Sequence, residues 1–187
     1  SMEELMEEHF GNQFNIINGT LVSYSGDSKN IIIPNNVTEI GSGCFENSRV
    51  KSVKLPDGIK SIGTRAFINC KVLSEIEIPN SVNYIGGKAF MNCSNLQDIK
   101  LNANIQTIPY KCFFGCSSLR SISLPEGIKS IEGDAFAGCD ELLYVVFPYS
   151  LNSISSMAFL RMGVTGNKQK LYMVDPYYKS RKVNVDE

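Results

Sequence analysis

The chain has 187 residues, of which 43% are hydrophobic and 20% charged, and its 18 basic and 19 acidic side chains leave a formal net charge of −1. That usage is globular and excludes an intrinsically disordered chain, while the charge balance removes the basic footprint of a nucleic-acid binder. No apolar run is long enough to cross a bilayer as a helix.

Residues 1–20 precede any pattern and read as a leader or amino-terminal flank. The opening EELMEEHF is acidic and lacks the basic-then-apolar order of an export signal. Leu5, Met6 and Phe10 suit a short amphipathic helix capping the first coil, and a frayed terminus suits them equally; both readings stay open. From Leu21 a pattern sets in, with Tyr24, a Gly-Asp-Ser turn at Gly26 to Ser28, then Ile31, Ile32, Ile33 and Pro34. Residues 21–44 read as an amino-terminal half-repeat cap.

Residues 45–160 are a repeat. Phe45, Phe67, Phe90, Phe113, Phe136 and Phe159 follow one another at steps of 22, 23, 23, 23 and 23 residues. Self-similarity at such a period marks a solenoid whose coils stack. Before each proline the chain alternates: Val53 and Leu55, Ile76 and Ile78, Ile99 and Leu101, Ile122 and Leu124, Val145 and Phe147 are apolar with mostly polar residues between. This predicts a short half-buried strand of period two, and strands of successive coils should pair in parallel about 4.8 Å apart. Pro34, Pro56, Pro79, Pro125 and Pro148 end the strand, having no N–H to donate; Asn102 is the exception.

Beyond the proline come two apolar residues three apart, such as Val82 and Ile85, which turn the chain back along the opposite wall. Gly41, Gly63 and Gly86 follow them, but Pro109, Glu132 and Ser155 fill that slot later, and because proline fixes φ at about −65° at least the Pro109 coil needs no left-handed residue there. Ala66-Phe67 with Cys70, and its counterparts around Phe90, Phe113 and Phe136, place a small residue, a ring and a cysteine at a spacing that predicts a short helical turn. Asn47, Asn69, Asn92, Gly115, Gly138 and Arg161 stand two residues after each phenylalanine. Exchange of Asn with Gly there predicts φ above zero, with Arg161 breaking the column where the array ends.

One coil buries too little to offset the ordering of its residues, so the coils need one another. The expected architecture is an α/β repeat: a right-handed solenoid of about 23 residues per coil with short parallel strands and short helical turns. Residues 161–187 read as a carboxy-terminal cap, with a strand near Leu171 to Val174, and a loose polar tail from Asp175.

Little in the chain suits chemistry. Cys70, Cys93, Cys116 and Cys139 fall in one repeat column, and Cys44 and Cys112 in the alanine column, so they read as small buried hydrophobes with free, unreactive thiols rather than disulfides or a zinc site. His9, the one histidine, sits in the acidic leader and suits solvent better than a general base. Gly41-Ser42-Gly43 lacks the third glycine of a dinucleotide fingerprint and falls on a repeat turn. Asn18-Gly19-Thr20, Asn36-Val37-Thr38 and Asn92-Cys93-Ser94 fit the glycosylation pattern, which matters only in a eukaryotic secretory host. No catalytic residue, cofactor site or metal site is assigned.

Binding is better supported, because a solenoid presents equivalent residues of successive coils on one extended face. One outward strand column reads Ile32, Lys54, Glu77, Lys100, Ser123, Val146, and its neighbour Asn30, Ser52, Glu75, Asp98, Ser121, Tyr144. The alternation Lys54, Glu77, Lys100 favours cross-strand charge pairing over a partner site. At the carboxy end Tyr144, Val146 and Tyr149, with Tyr172 alongside, have the composition of an interface hot spot or of packing beneath a cap.

The run LPEGIKSIEGDAFAGCDEL, Leu124 to Leu142, resembles the BspA-like leucine-rich repeat family, and the phased match covers about residues 21–160. Proteins of that family are largely bacterial and protozoan surface or secreted proteins. The resemblance implies a non-enzymatic, adhesin-like module that binds an extracellular-matrix or cell-surface protein, without cofactor or nucleic acid. It fixes no binding residue. A structural spacer within a larger surface protein and an intracellular (cytoplasmic) interaction scaffold are the alternatives.

Overall fold

A computed structural model describes residues 13–160 together with the backbone of 172–174 and 184–186. The helix expected at Leu5 to Phe10, His9, and the column position of Arg161 lie outside the described residues.

The array opens on an antiparallel hairpin of β1 (Phe14–Ile17) and β2 (Thr20–Tyr24). Asn18 and Gly19 join the strands at φ of 51° and 78°, the doubly positive backbone of a tight hairpin turn whose twist matches that of the strands. The expected flank therefore contributes a strand from Phe14 onward.

Among the described residues, every following coil but one carries two strands where the sequence pattern predicts one. In chain order these are β3 (Asn30–Ile32) and β4 (Glu39–Ile40), β5 (Ser52–Lys54) and β6 (Ser61–Ile62), and β7 (Glu75–Ile76) and β8 (Tyr84–Ile85). The Phe113 coil has only β9 (Thr107–Ile108); then come β10 (Ser121–Ser123) and β11 (Ser130–Ile131), β12 (Tyr144–Val146) and β13 (Ser153–Ser155), and β14 (Tyr172–Val174) and β15 (Asn184–Asp186).

Apart from the hairpin, every pairing is parallel and joins one coil to the next. The strands before the proline build a first wall, β3-β5-β7 and β10-β12-β14. Those after it build a second, β2-β4-β6-β8 and β9-β11-β13-β15. The second wall went unseen in the sequence because β4, β6, β8, β9 and β11 are two residues long with a single buried side chain each, too short to show a period of two. The chain beyond Asp175, expected to be loose, supplies β15, which pairs with β13.

The third side is built of turns, not of helical turns. The N–H groups of Phe45, Phe67, Phe90, Phe113 and Phe136 reach across to the carbonyls of Ala66, Ala89, Cys112, Ala135 and Ala158 in the next coil, at 2.8 to 3.0 Å. The residues between close on their own turn: Ala66 donates to the Gly63 carbonyl, Ile68 to that of Arg65 and Cys70 to that of Phe67. Asn47, Asn69, Asn92, Gly115 and Gly138 have φ between 59° and 73°, as the Asn/Gly column predicts. Gly43, Arg65, Lys88, Lys111 and Asp134, two residues before each phenylalanine, also have φ between 54° and 65°. A backbone that alternates in this way cannot form an α- or 3₁₀-helix, which needs negative φ throughout. The alternation instead aims every second N–H along the array. That column carries Arg, Lys and Asp, so its composition gave no sign of the left-handed backbone.

Side chains stack behind this backbone. The rings of Phe45, Phe67, Phe90, Phe113, Phe136 and Phe159 lie 5.0 to 5.6 Å apart and within 14° of parallel, and Tyr24 and Phe14 continue the column to the hairpin. Asn69 donates to the Asn47 side-chain oxygen and Asn92 to that of Asn69, both at 2.9 Å, a ladder that stops at Gly115.

Candidate binding face

The first wall places the candidate residues. Side chains alternate along each strand, so burial of Val53, Ile76, Ile99, Ile122 and Val145 turns their neighbours outward. Lys54, Glu77, Lys100 and Ser123 are exposed, as is Ile32 at the amino end, and Val146 is half-buried. Tyr144 and Tyr149 are 49% and 55% exposed.

These residues do not form one cluster. Tyr144 begins β12 and Tyr149 follows Pro148 in the turn beyond it, with Val146 between. Tyr144 is in register with Ser121 on one side and with the backbone of Tyr172 on the other. Tyr149 is fixed by its turn, where its N–H and that of Ser150 donate to the two carboxylate oxygens of Glu126 at 2.8 and 3.1 Å. Tyr144, Val146 and Tyr149 thus follow one another along a single coil, the one that leads to Phe159.

The expected charge pairing along Lys54, Glu77 and Lys100 is absent: among the described residues no ion pair joins them. β5 pairs with β7 only as far as Val53 and Ile76, so Glu77 lies past the end of the ladder. Lys100 lies in a segment with no strand at all. Inter-coil ion pairs occur elsewhere, Arg65 with Glu46 at 2.8 Å, Arg120 with Glu141 at 3.2 Å and Lys111 with Asp134 at 3.7 Å.

Two features were not read from the sequence. A cleft of about 360 Å³ opens beside the missing strand, lined by charged Asp57, Glu77 and Lys100, with Asn80, Ser81 and Asn102 among its polar walls. The lone Asn in the proline column was its only signal. On the turn side, Tyr110 is flanked by the ammonium groups of Lys88 and Lys111, 5.8 and 5.1 Å from its ring centre, and a hydrogen bond to Tyr110 raises the pKa of Lys111. Lys88 and Tyr110 belong to different coils, and their meeting is a product of stacking.

The cysteines take no part in a site. All six are buried with free thiols, and among the described residues no group of His, Cys, Asp and Glu is arranged to hold a metal. Cys70, Cys93, Cys116 and Cys139 each donate the S–H to a phenylalanine carbonyl of the preceding coil, at 3.0 to 3.2 Å. Burial pushes the thiols of Cys44, Cys70 and Cys139 up to about 12 and holds Cys93, Cys112 and Cys116 well above the ordinary range. A disulfide-exchange reagent at pH 8 should therefore modify none of these six thiols in the native protein and all of them in denaturant, since thiolate is the reactive form. The same shifts set a sign. Each folded pKa lies above its unfolded value, so the stabilisation is complete below the unfolded pKa of about 8.5 and is lost as pH rises toward the folded values. Rapid native labelling, or stability that rises from pH 8 to 10, would contradict the buried, protonated column.

The parallel walls, the stacked ring column and the single face of equivalent residues define a repeat solenoid of leucine-rich type, about 23 residues to the coil. The family model described as the BspA type leucine rich repeat region matches six copies across residues 15–124 and 38–165. The chain belongs to the BspA-type leucine-rich repeat family. Solved bacterial structures share the fold. The leucine-rich repeat protein of T. pallidum is 26% identical, with a TM-score of 0.75 over 89% of this chain and 77% of that one. The protein from Eubacterium ventriosum is 29% identical, with a TM-score of 0.72 over 78% of this chain and 41% of its own. One from Bacteroides ovatus is 25% identical, with a TM-score of 0.52 over 88% and 55%. No curated protein matches the sequence. Among the described residues no helix is long and apolar enough to cross a membrane.

Proposed function

We propose that this chain is a non-enzymatic protein-binding module, adhesin-like and displayed at the cell surface or secreted, whose ligand is an extracellular-matrix or cell-surface protein. The observation that carries the reading is the exposure of Tyr144 on the first wall and of Tyr149 in the turn that follows it, with Val146 between them and the Tyr172 backbone in register beside Tyr144. Tyrosine supplies large contact area at small entropic cost and is enriched where interfaces concentrate their energy. Lys54, Glu77 and Lys100 extend the same face with charges that no ion pair within the described residues takes up, and they suit a partner whose charges fix its register. Family membership supports the surface setting.

The test is binding of the purified chain to immobilised matrix proteins beside a variant carrying Tyr144→Ala, Val146→Ala and Tyr149→Ala. Saturable binding should fall at least about ten-fold in the variant. Unchanged affinity would remove the patch from the interface.

A second reading, a structural spacer within a longer array, is favoured by one observation: the chain spans only 41% and 55% of two of the structures it resembles. Absence of binding to every matrix protein tried would shift weight to it.

A further inference from the structure

The stack is not uniform along its length. At most junctions the same backbone bonds recur. On the first wall Lys51 donates to Lys29, Ser74 to Lys51, Arg120 to Gln97 and Leu143 to Arg120; on the second Lys60 donates to Thr38, Asn83 to Lys60, Lys129 to Gln106 and Asn152 to Lys129. Between the Phe90 coil and the Phe113 coil both series skip a step: neither Gln97 to Ser74 nor Gln106 to Asn83 is made. Among the described residues no backbone–backbone hydrogen bond reaches any residue from Asp98 to Leu101, which leaves the first wall broken on both sides of this segment, and β8 does not pair with β9, so the second wall divides at this junction.

One cause is chemical. Gly41, Gly63, Gly86 and Glu132 each donate an N–H to the preceding coil, to Leu21, Ile40, Ile62 and Ile108. Pro109 holds that slot and has no N–H, so the Ile85 carbonyl loses the equivalent bond. The turn side is intact, with Lys88, Phe90 and Asn92 donating to Tyr110, Cys112 and Phe114 at 2.7 to 3.0 Å. The largest ring spacing in the phenylalanine column, 5.6 Å between Phe90 and Phe113, falls at the same junction.

We propose that this junction is a hinge, opening on the two strand walls about the intact turn side, and that Asn102 is its latch. Asn102 takes the proline slot, is 94% buried, and sends its amide to the carbonyls of Pro79 and Val82 at 2.7 and 3.0 Å across the gap. Its side-chain oxygen accepts the N–H of Asn104, whose own amide reaches the Asn80 carbonyl. The latch thus replaces backbone bonds with side-chain bonds that break singly, where a strand ladder breaks together. The cleft beside Asn102 lies on the opening side, so opening widens the binding face between Glu77 and Lys100.

Backbone hydrogen exchange of the full chain tests this. Amides of Ile99 to Leu101 should exchange at least about ten-fold faster than those of Val53 to Leu55 and Ile122 to Leu124, while Lys88, Phe90 and Asn92 stay protected. Asn102→Ala should speed exchange at Gln97 and Gln106 further, and Pro109→Glu, which restores the donor found at Glu132, should slow it at Gln106. Equal protection of Ile99 to Leu101 and Ile122 to Leu124 in the unaltered chain would overturn the hinge. Loss of protection at Lys88, Phe90 and Asn92 together with the walls would overturn it too, because the two halves would then part without a pivot.

Discussion

Phe90→Ala is expected to cost about 4 kcal/mol of stability, at the upper end for a truncated core ring. Phe90 is fully buried, and its ring lies 5.4 Å from Phe67 and 5.6 Å from Phe113, parallel to both. Its loss removes two stacking contacts and leaves a void that the neighbouring coils cannot close, because their own backbones are fixed by bonds from Phe67 to Ala89 and from Phe90 to Cys112. Stability in a solenoid is a sum of nearest-neighbour terms, so a central defect weakens two interfaces at once. Phe159→Ala should cost visibly less: that ring is half-buried, stacked on Phe136 at 5.2 Å and meeting Phe147 edge-on at 6.4 Å. Urea unfolding of the two variants measures the difference, and equal costs would refute the nearest-neighbour account.

Gly63→Ala should destabilise by about 3 kcal/mol although it adds a single carbon. A Cβ at Gly63 would stand 2.7 Å from the Ser42 nitrogen and 2.9 Å from both the Gly41 carbonyl carbon and the Ile40 oxygen. All three are backbone atoms held in the preceding coil by the Gly63 bond to Ile40 and the Gly43 bond to Thr64, so none can swing aside as a side-chain tip would. Relief requires the coils to separate, at the expense of β4 and β6 pairing. Ser155→Ala, in the same repeat slot where a Cβ already stands, should change stability by no more than about 0.5 kcal/mol. Calorimetric melting of both variants decides the matter; a tolerated alanine at Gly63 would show that the coils can spread there at little cost.

The slot illustrates where sequence reading stops. Pro109 in this slot pointed to a backbone that is not left-handed in its own coil, and Gly41, Gly63 and Gly86 have no positive φ either. The reason for glycine is instead the distance to the coil before, which no single repeat contains. The candidate face divides in the same way. Alternation along each strand was enough to place Lys54, Glu77, Lys100 and Tyr144 outward. The absence of pairing between the charges, the cleft beside Asn102 and the Lys88 cation over Tyr110 arise from residues about 23 apart in sequence, and depend on inter-coil register.

By itself the sequence determined the repeat, its period, the buried columns and the left-handed positions after the phenylalanines from Phe45 to Phe136, because those follow from one residue's size, polarity or backbone freedom recurring in phase. The tertiary structure alone decided that the Phe-x-x-Cys segment is a chain of turns, that each typical coil carries a second strand, and that the walls part at Pro109. In the first two cases the deciding hydrogen bond runs to a neighbouring coil and outweighs local preference; in the third it is the bond that Pro109 cannot make. A spacing of three fits a helical turn as well as a β-turn, and only the stacked neighbour, by accepting every second N–H, selects between them.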